Sequence, residues 1–282
     1  MYIKRAAVIG SGTMGADIAY VIANAGIPVV IKDVADEALE KAKAHVADLF
    51  QTRINRGRMT PEDAQKRQAF MTFTTSNEDL KDVSLVIEAV SENMALKKRV
   101  FQELDHVLPP LAIIASNTSA LSVTELAEVT GRPERVAGFH FFFPAHMMKL
   151  IEVISGEKTS QETLETLRRF AEEIRKIPVS VKECPGFVVN RVLMASMAEV
   201  LRFQDESGVP YQEIDQAITK AGLAPMGPFV LGDALGLDVA LEVAHTLTAA
   251  YGERFQPGPQ LEALVKDGHL GLKSGQGFYS YR

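Results

Sequence analysis

Two apolar stretches each carry one residue that does not belong in a hydrocarbon core. Val136-Ala137-Gly138-Phe139-His140-Phe141-Phe142-Phe143-Pro144 holds a single histidine, and Leu150-Ile151-Glu152-Val153-Ile154 a single carboxylate. Taken alone, each reads as a satisfied core group or a strand-end charge. Two such exceptions twelve positions apart, in strands that a short connection lays side by side, suit a His–Glu pair. In such a pair the carboxylate fixes the imidazole tautomer and favours its protonated form, which is the equipment of general acid–base chemistry. A third polar group follows another apolar run: Leu111-Ala112-Ile113-Ile114-Ala115 leads into Ser116-Asn117-Thr118-Ser119. Side chains just past the carboxyl end of a buried parallel strand lie where open α/β sheets bind ligands. The next residues, Ser122-Val123-Thr124-Glu125, read as a capping box that starts a helix.

The elements that must position these groups begin at the amino terminus. The run Lys4-Arg5-Ala6-Ala7-Val8-Ile9 feeds into G-x-G-x-x-G at Gly10, Gly12 and Gly15, and Ile18, Ala19, Ile22 and Ala23 then recur at helical spacing. In a strand–turn–helix of this kind the first glycine turns the chain, the second lets the backbone approach a pyrophosphate, and the third brings helix against strand. The helix N-terminus supplies N–H groups to the phosphates. A second apolar run, Pro28 to Lys32, ends in Asp33, about twenty residues on, where a ribose 2′-hydroxyl would be held. Asp33 repels a 2′-phosphate, and Val34 and Ala35 offer no arginine to neutralise one, so the expected cofactor is NAD rather than NADP.

After Asp33, Ala38, Leu39, Ala42, Val46, Leu49 and Phe50 form one helical face that ends near Arg56. Gly57 breaks it, and Thr60-Pro61-Glu62-Asp63 starts a second helix, predicting a helical hairpin inserted over about residues 36–70. On spacing alone, Arg53, Arg56 and Arg58 read as a solvated face that favours the helix C-terminus. Further strands are expected at Met71-Thr72-Phe73, Ser84 to Val90 and Pro178 to Val181, and a helix from about Gln161 to Arg175. Lys182-Glu183-Cys184-Pro185-Gly186 interrupts regular structure, which sets the expected boundary between a domain at 1–183 and one at 184–282. Beyond it the pattern is helical, and Ala195, Met197, Ala198 and Leu201 suggest more apolar surface than about a hundred residues can bury alone, favouring a homodimer.

A net charge of −6 gives no footprint for nucleic acid or an anionic membrane, and no apolar run reaches the length of about eighteen residues that spans a bilayer. One cysteine, Cys184, excludes an internal disulfide and a multi-cysteine metal centre, so no metal is expected. With the first strand starting so close to Met1, a cytoplasmic protein without a signal peptide is expected.

Taken together, these segments resemble the short-chain L-3-hydroxyacyl-CoA dehydrogenases, including bacterial 3-hydroxybutyryl-CoA dehydrogenases. The resemblance rests on Gly10-Ser11-Gly12-Thr13-Met14-Gly15, Ile87-Glu88-Ala89-Val90 with Glu92-Asn93, Ser116-Asn117-Thr118-Ser119, Gly138 to Phe142, Met148 to Val153, Pro185 to Arg191, Met226-Gly227-Pro228-Phe229 and Lys273 to Tyr279, nearly the whole chain. It implies an α/β fold, with a Rossmann-type mostly parallel sheet domain followed by an all-α domain, and a catalytic pair at His140 and Glu152. Ser119 and Asn190 complete the implied substrate site, placed between the domains. NAD contacts fall by resemblance on Asp33, Glu92, Lys97, Asn117, Ser119 and Lys273, and a CoA contact on the hairpin's basic residues, best matched by Arg56 with Arg53 beside it.

There are three departures. Phe143 stands where the family usually has asparagine, which bears on the acyl pocket. Asp17 stands where glycine is frequent, and Leu49 where some relatives have a serine touching CoA. Two other readings use the same scaffold: a dehydrogenase of free hydroxy or sugar acids, which CoA dependence would exclude, and a weakly catalytic NAD-binding relative, which Phe143 would fit. An NADH-responsive transcription factor would need a basic DNA-reading module, and none is visible.

Overall fold

The computed structural model describes residues 2–281, which fall into two compact units divided between Cys184 and Pro185. The division falls one residue beyond the boundary expected from the Cys-Pro-Gly break.

In the first unit, short runs of β-branched and aliphatic residues form the strands. The order is β1 (Ala6–Ile9), α1 (Thr13–Asn24), β2 (Val29–Lys32), α2 (Asp36–Asn55), α3 (Pro61–Gln68), β3 (Met71–Thr74), β4 (Leu85–Glu88), α4 (Met94–Val107), β5 (Ile113–Ser116), α5 (Val123–Ala127), β6 (Val136–Phe141), β7 (Leu150–Ser155), α6 (Gln161–Glu173) and β8 (Ile177–Lys182). Strands β1, β2, β4 and β5 are fully buried, and β1, β2, β4, β5 and β7 are each followed by a helix. The eight-stranded sheet runs β3-β2-β1-β4-β5-β6-β7-β8. Strands β1 to β6 are parallel, β7 is antiparallel to β6, and β8 is parallel to β7. The winding direction reverses between β1 and β4, and such a switch point leaves a crevice at the carboxyl ends of the strands.

The hairpin forms as expected. Gly57 turns the chain at φ +63°, and Thr60 accepts a hydrogen bond from the Asp63 N–H at 3.1 Å with Pro61 in the first helical turn. The capping box at α5 forms only by half. Ser122 Oγ accepts from the Glu125 N–H at 3.1 Å, but the Glu125 carboxylate pairs with Lys98 at 2.9 Å instead of returning to the cap. Glu183, just past β8, takes its place, accepting from Ser122 Oγ (2.5 Å), Thr124 N–H (2.9 Å) and Thr124 Oγ (2.5 Å). A carboxylate at a helix N-terminus is favoured wherever in the chain it comes from.

The second unit holds α7 (Val189–Ser207), α8 (Tyr211–Lys220), α9 (Pro228–Leu235), α10 (Leu237–Tyr251) and α11 (Pro259–Lys266). Its core joins Leu201, Ile214, Phe229, Leu237, Leu261 and Phe278. Two buried aspartates organise the glycine motifs around it. Asp215 accepts from the N–H groups of Phe229 and Val230 and from Tyr279 Oη, while Asp233 accepts from Phe278 N–H, Tyr279 N–H and Tyr281 Oη. A Cβ at Gly227 would strike the Asp215 side chain and one at Gly277 that of Asp233, which explains both glycines.

Candidate active site

The glycine turn forms the cradle its spacing predicts. Gly10 has φ +96°, open to glycine but strained for other residues, and a Cβ there would lie 2.7 Å from the Ala89 carbonyl oxygen. A Cβ at Gly15 would run into the Gly10 carbonyl, so α1 packs on the turn only with hydrogen at that position. At Gly12 a Cβ would meet nothing within 4 Å, so it would fill the open space beside the uncapped N-terminus of α1.

Asp33 closes the cradle at the end of β2. Its Oδ2 accepts from Ser11 N–H and Ser11 Oγ, both at 2.7 Å, and its Oδ1 from Val34 N–H at 2.7 Å. Burial alone would push this carboxyl up, but these bonds, with that from the Ala35 N–H, hold it below the usual aspartate range. Gly10, Gly12 and Asp33 line a cavity of about 310 Å³ whose apolar wall comes from Ile9, Val90, Leu96, Val100 and Leu104. That volume is at the lower end of the roughly 300–1,000 Å³ of small-molecule sites and suits the adenosine half of a dinucleotide. Lys32 and Glu103, 3.6 Å apart, also line it. Sequence reasoning passed over both, since Lys32 looked like an ordinary strand-end residue.

The last residues of β4 and β5 and those just past them form a buried ionic relay. Glu88 is fully buried and accepts from Lys97 Nζ (2.7 Å), Ser116 Oγ (2.6 Å) and Val90 N–H (2.7 Å). Lys97 also meets Glu92 at 3.2 Å, and Glu92 accepts from Thr118 Oγ (2.6 Å), Ser119 N–H (2.8 Å) and Ser119 Oγ (3.2 Å). Burial works to raise the Glu92 carboxyl, but Lys97 and these hydroxyl and amide donors bring it below its ordinary value. With a side chain only 1% exposed, Lys97 lies behind Glu92, so its influence on a ligand passes through that carboxylate and Ser119. Glu88 was not singled out as a site residue. The signal for it was present, one acid inside an apolar run, as at Glu152.

Strands β6 and β7 place His140 directly opposite Glu152. His140 Nδ1 lies 2.9 Å from Glu152 Oε2, with the two residues 6% and 1% exposed. A hydrogen on Nδ1 shared with the carboxylate makes Nε2 the basic position of the ring. The Phe142 ring lies 4.5 Å from the imidazole, centroid to centroid, and Asn117 Oδ1 accepts from the Phe141 N–H at 2.8 Å. The end of β5 is therefore tied to the strand that carries the histidine. Phe143, at the departure noted above, is half exposed.

The hairpin arginines divide. Arg56 is exposed just past α2, whereas Arg53 is partly buried near Tyr20, its Nε buried without a hydrogen-bond partner. Leu49 packs against the core. In the second unit, Asn190 lies in the first turn of α7, and Lys273 is held by Asp238 at 2.5 Å. Among the described residues no cluster of His, Cys, Asp and Glu has the arrangement of a metal site, and no helix is long and apolar enough to cross a membrane.

Comparison with known proteins agrees along the full length. Residues 5–184 match the family description "3-hydroxyacyl-CoA dehydrogenase, NAD binding domain", and residues 186–281 match "3-hydroxyacyl-CoA dehydrogenase, C-terminal domain". The chain is 40% identical over 278 residues to a 3-hydroxybutyryl-CoA dehydrogenase of Clostridioides difficile, covering 98% of this chain and 99% of that one. It is 38% identical to the fatty acid oxidation complex subunit alpha of Psychrobacter arcticus over 99% of its own length, which is 39% of that larger protein. Among solved structures, the (S)-3-hydroxybutyryl-CoA dehydrogenase PaaH1 of Ralstonia eutropha superposes with a TM-score of 0.95 at 37% identity, covering 99% of both chains.

Proposed function

Since the chain belongs to the 3-hydroxyacyl-CoA dehydrogenase family, we propose that it interconverts short-chain L-3-hydroxyacyl-CoA and 3-ketoacyl-CoA with NAD, using His140 and Glu152 as its proton-transfer pair. The observation that carries this reading is the buried 2.9 Å His140–Glu152 contact, held by strand register in the sheet that also forms the glycine cradle. The open space at Gly12, the uncapped helix N-terminus and the Asp33 carboxylate fit a dinucleotide. Bound NAD supplies the acceptor for the hydride that leaves C3 in the oxidative direction.

In that direction His140 Nε2 takes the proton of the 3-hydroxyl as the C3–O bond becomes a carbonyl, and Glu152 stabilises the resulting imidazolium. In reduction the same ring returns the proton. Ser119 and Asn190 hold the hydroxyl and thioester oxygens, Glu92 and Lys97 keep Ser119 in place, and Asn117 and Lys273 contact the cofactor. Arg56, exposed at the end of α2, meets the CoA phosphates. A four-carbon acyl group is the proposed substrate, after the relatives' names. Met197, Ala198 and Leu201, on which the expectation of a homodimer rests, are instead buried, Leu201 and Met197 in the second unit's own core clusters. The support for a homodimer therefore comes from other residues of α7, Val192 and Phe203, whose apolar side chains are exposed, and the single cysteine fits a cytoplasmic protein.

The deciding experiment follows NADH oxidation with acetoacetyl-CoA, longer 3-ketoacyl-CoAs and free acetoacetate in parallel. Turnover is expected with the thioesters, fastest with acetoacetyl-CoA, and not with the free acid. Equal turnover of free acetoacetate would assign the protein to hydroxy acids instead.

A further inference from the structure

One buried carboxylate in the first unit has no part in the scheme above. Asp17, in the second turn of α1, is 1% exposed and accepts from two histidines on different elements. Its Oδ1 lies 2.7 Å from His45 Nε2 on α2, and its Oδ2 lies 2.7 Å from His146 Nδ1, with the His146 backbone N–H at 3.4 Å from the same oxygen. His146 belongs to the segment between β6 and β7, six residues after the catalytic histidine. Lys176 fastens that segment from the other side, its Nζ donating to the carbonyls of Ala145 (2.5 Å) and Met148 (2.6 Å). Tyr20 lies edge-on to His146 and also to Phe50 of α2, with 4.7 Å between the Tyr20 and Phe50 centroids, so α2 is tied to α1 a second time.

The two elements that meet at Asp17 are the ones assigned to the substrate. Helix α2 ends beside Arg56, and the 142–148 segment, which begins two residues after His140, exposes the apolar side chains of Phe143, Met147 and Met148. We propose that Asp17 is a positioning residue that holds α2 and the 142–148 segment in one arrangement through His45 and His146, and so sets recognition of the acyl-CoA but not of NAD. The inference rests on the reading of the reaction given above. A buried carboxylate with two N–H donors fixes two directions at once, and an amide of the same shape has only one acceptor oxygen for them. The residues that hold the dinucleotide, Gly12 and Asp33, make no contact with this cluster among the hydrogen bonds of the structure, so the effect should separate from cofactor binding.

The test uses Asp17→Asn, His45→Gln and His146→Gln in the full chain, with acetoacetyl-CoA and the shorter acetoacetyl-pantetheine as thioesters. Asp17→Asn should raise KM about tenfold for acetoacetyl-CoA and leave NADH affinity within about twofold. His45→Gln should raise KM for the CoA ester alone, because only that ester reaches the hairpin, whereas His146→Gln should affect both esters. Hydrogen exchange of Asp17→Asn should quicken over residues 45–58 and 142–148 together. Should Asp17→Asn fail to fold, the two histidine variants, altered at partly exposed side chains, carry the test. Unchanged KM values in all three variants would overturn the proposal, as would an equal loss of NADH and thioester binding. If the unmodified protein turns over neither thioester, the reaction assignment is what fails, and hydrogen exchange alone then decides whether Asp17 ties the two segments.

Discussion

Replacing Glu152 by glutamine is the most direct trial of the catalytic pair. The side chain keeps its length and can still accept from His140 Nδ1 across the 2.9 Å contact, so the ring stays oriented. What is lost is the negative charge. A hydrogen bond involving a charged group contributes about 1.5–3 kcal/mol and a neutral one about 0.5–1.5 kcal/mol, and little water reaches this pair to screen the difference. A loss of about 1–2 kcal/mol of imidazolium stabilisation at 1.36 kcal/mol per tenfold corresponds to a fall in kcat of roughly 5- to 30-fold. Glu152→Ala should fall further, toward the about 10²–10⁴ attributed to general acid–base catalysis, because the ring also loses its orientation. The assay is steady-state turnover in both directions over a pH series, with NADH binding followed separately. A change in kcat of less than twofold in both directions, with NADH binding intact, would show that Glu152 only fills the core.

Three further outcomes follow from the same geometry. Asp33→Ala should narrow the preference for NAD(H) over NADP(H), mainly by weakening NADH binding, and equal affinity of the unmodified protein for both cofactors would contradict the role given to Asp33. Arg56→Ala should raise KM for acetoacetyl-CoA several-fold at low salt, an effect that shrinks as ionic strength rises because the residue is exposed, while NADH affinity stays constant. Burial pushes the Lys176 ammonium down to about 8 from 10.5, against the opposing pull of Asp17. Between those pH values the unfolded chain binds more protons than the folded one, so this lysine's cost is full below pH 8 and is relieved as pH rises toward 10.5. The denaturation midpoint of the unmodified protein should therefore gain on that of Lys176→Met across this window, and a constant difference between the two would rule the effect out.

The parts of the site legible in the sequence are those fixed by local spacing. Gly10, Gly12 and Gly15 are close enough in sequence that the turn they form is nearly determined by backbone sterics. His140 and Glu152 were findable because a polar group in an apolar strand needs a partner, and a short antiparallel connection limits the choice. The same rule would have caught Glu88. What local pattern does not reveal is which of several donors an acid meets across the fold. Glu183, rather than Glu125, carries the charge at α5, Arg53 turns toward Tyr20 rather than solvent, and Asp17 meets a histidine 129 positions away. Each of these depends on how helices lie over the sheet, and no spacing rule encodes it.

Strand β7 is hydrogen-bonded on both edges, to β6 and to β8. A slip of one residue would turn Glu152 to the opposite face of the sheet, so the two flanking ladders act together against it. The alignment of Glu152 with His140 is thus set by the ladders and not by the length of residues 142–149 between them. That segment is a natural cassette for re-engineering acyl preference: residues can be exchanged, added or removed there while the proton-transfer pair keeps its register, so long as His146 and the carbonyls held by Lys176 are retained.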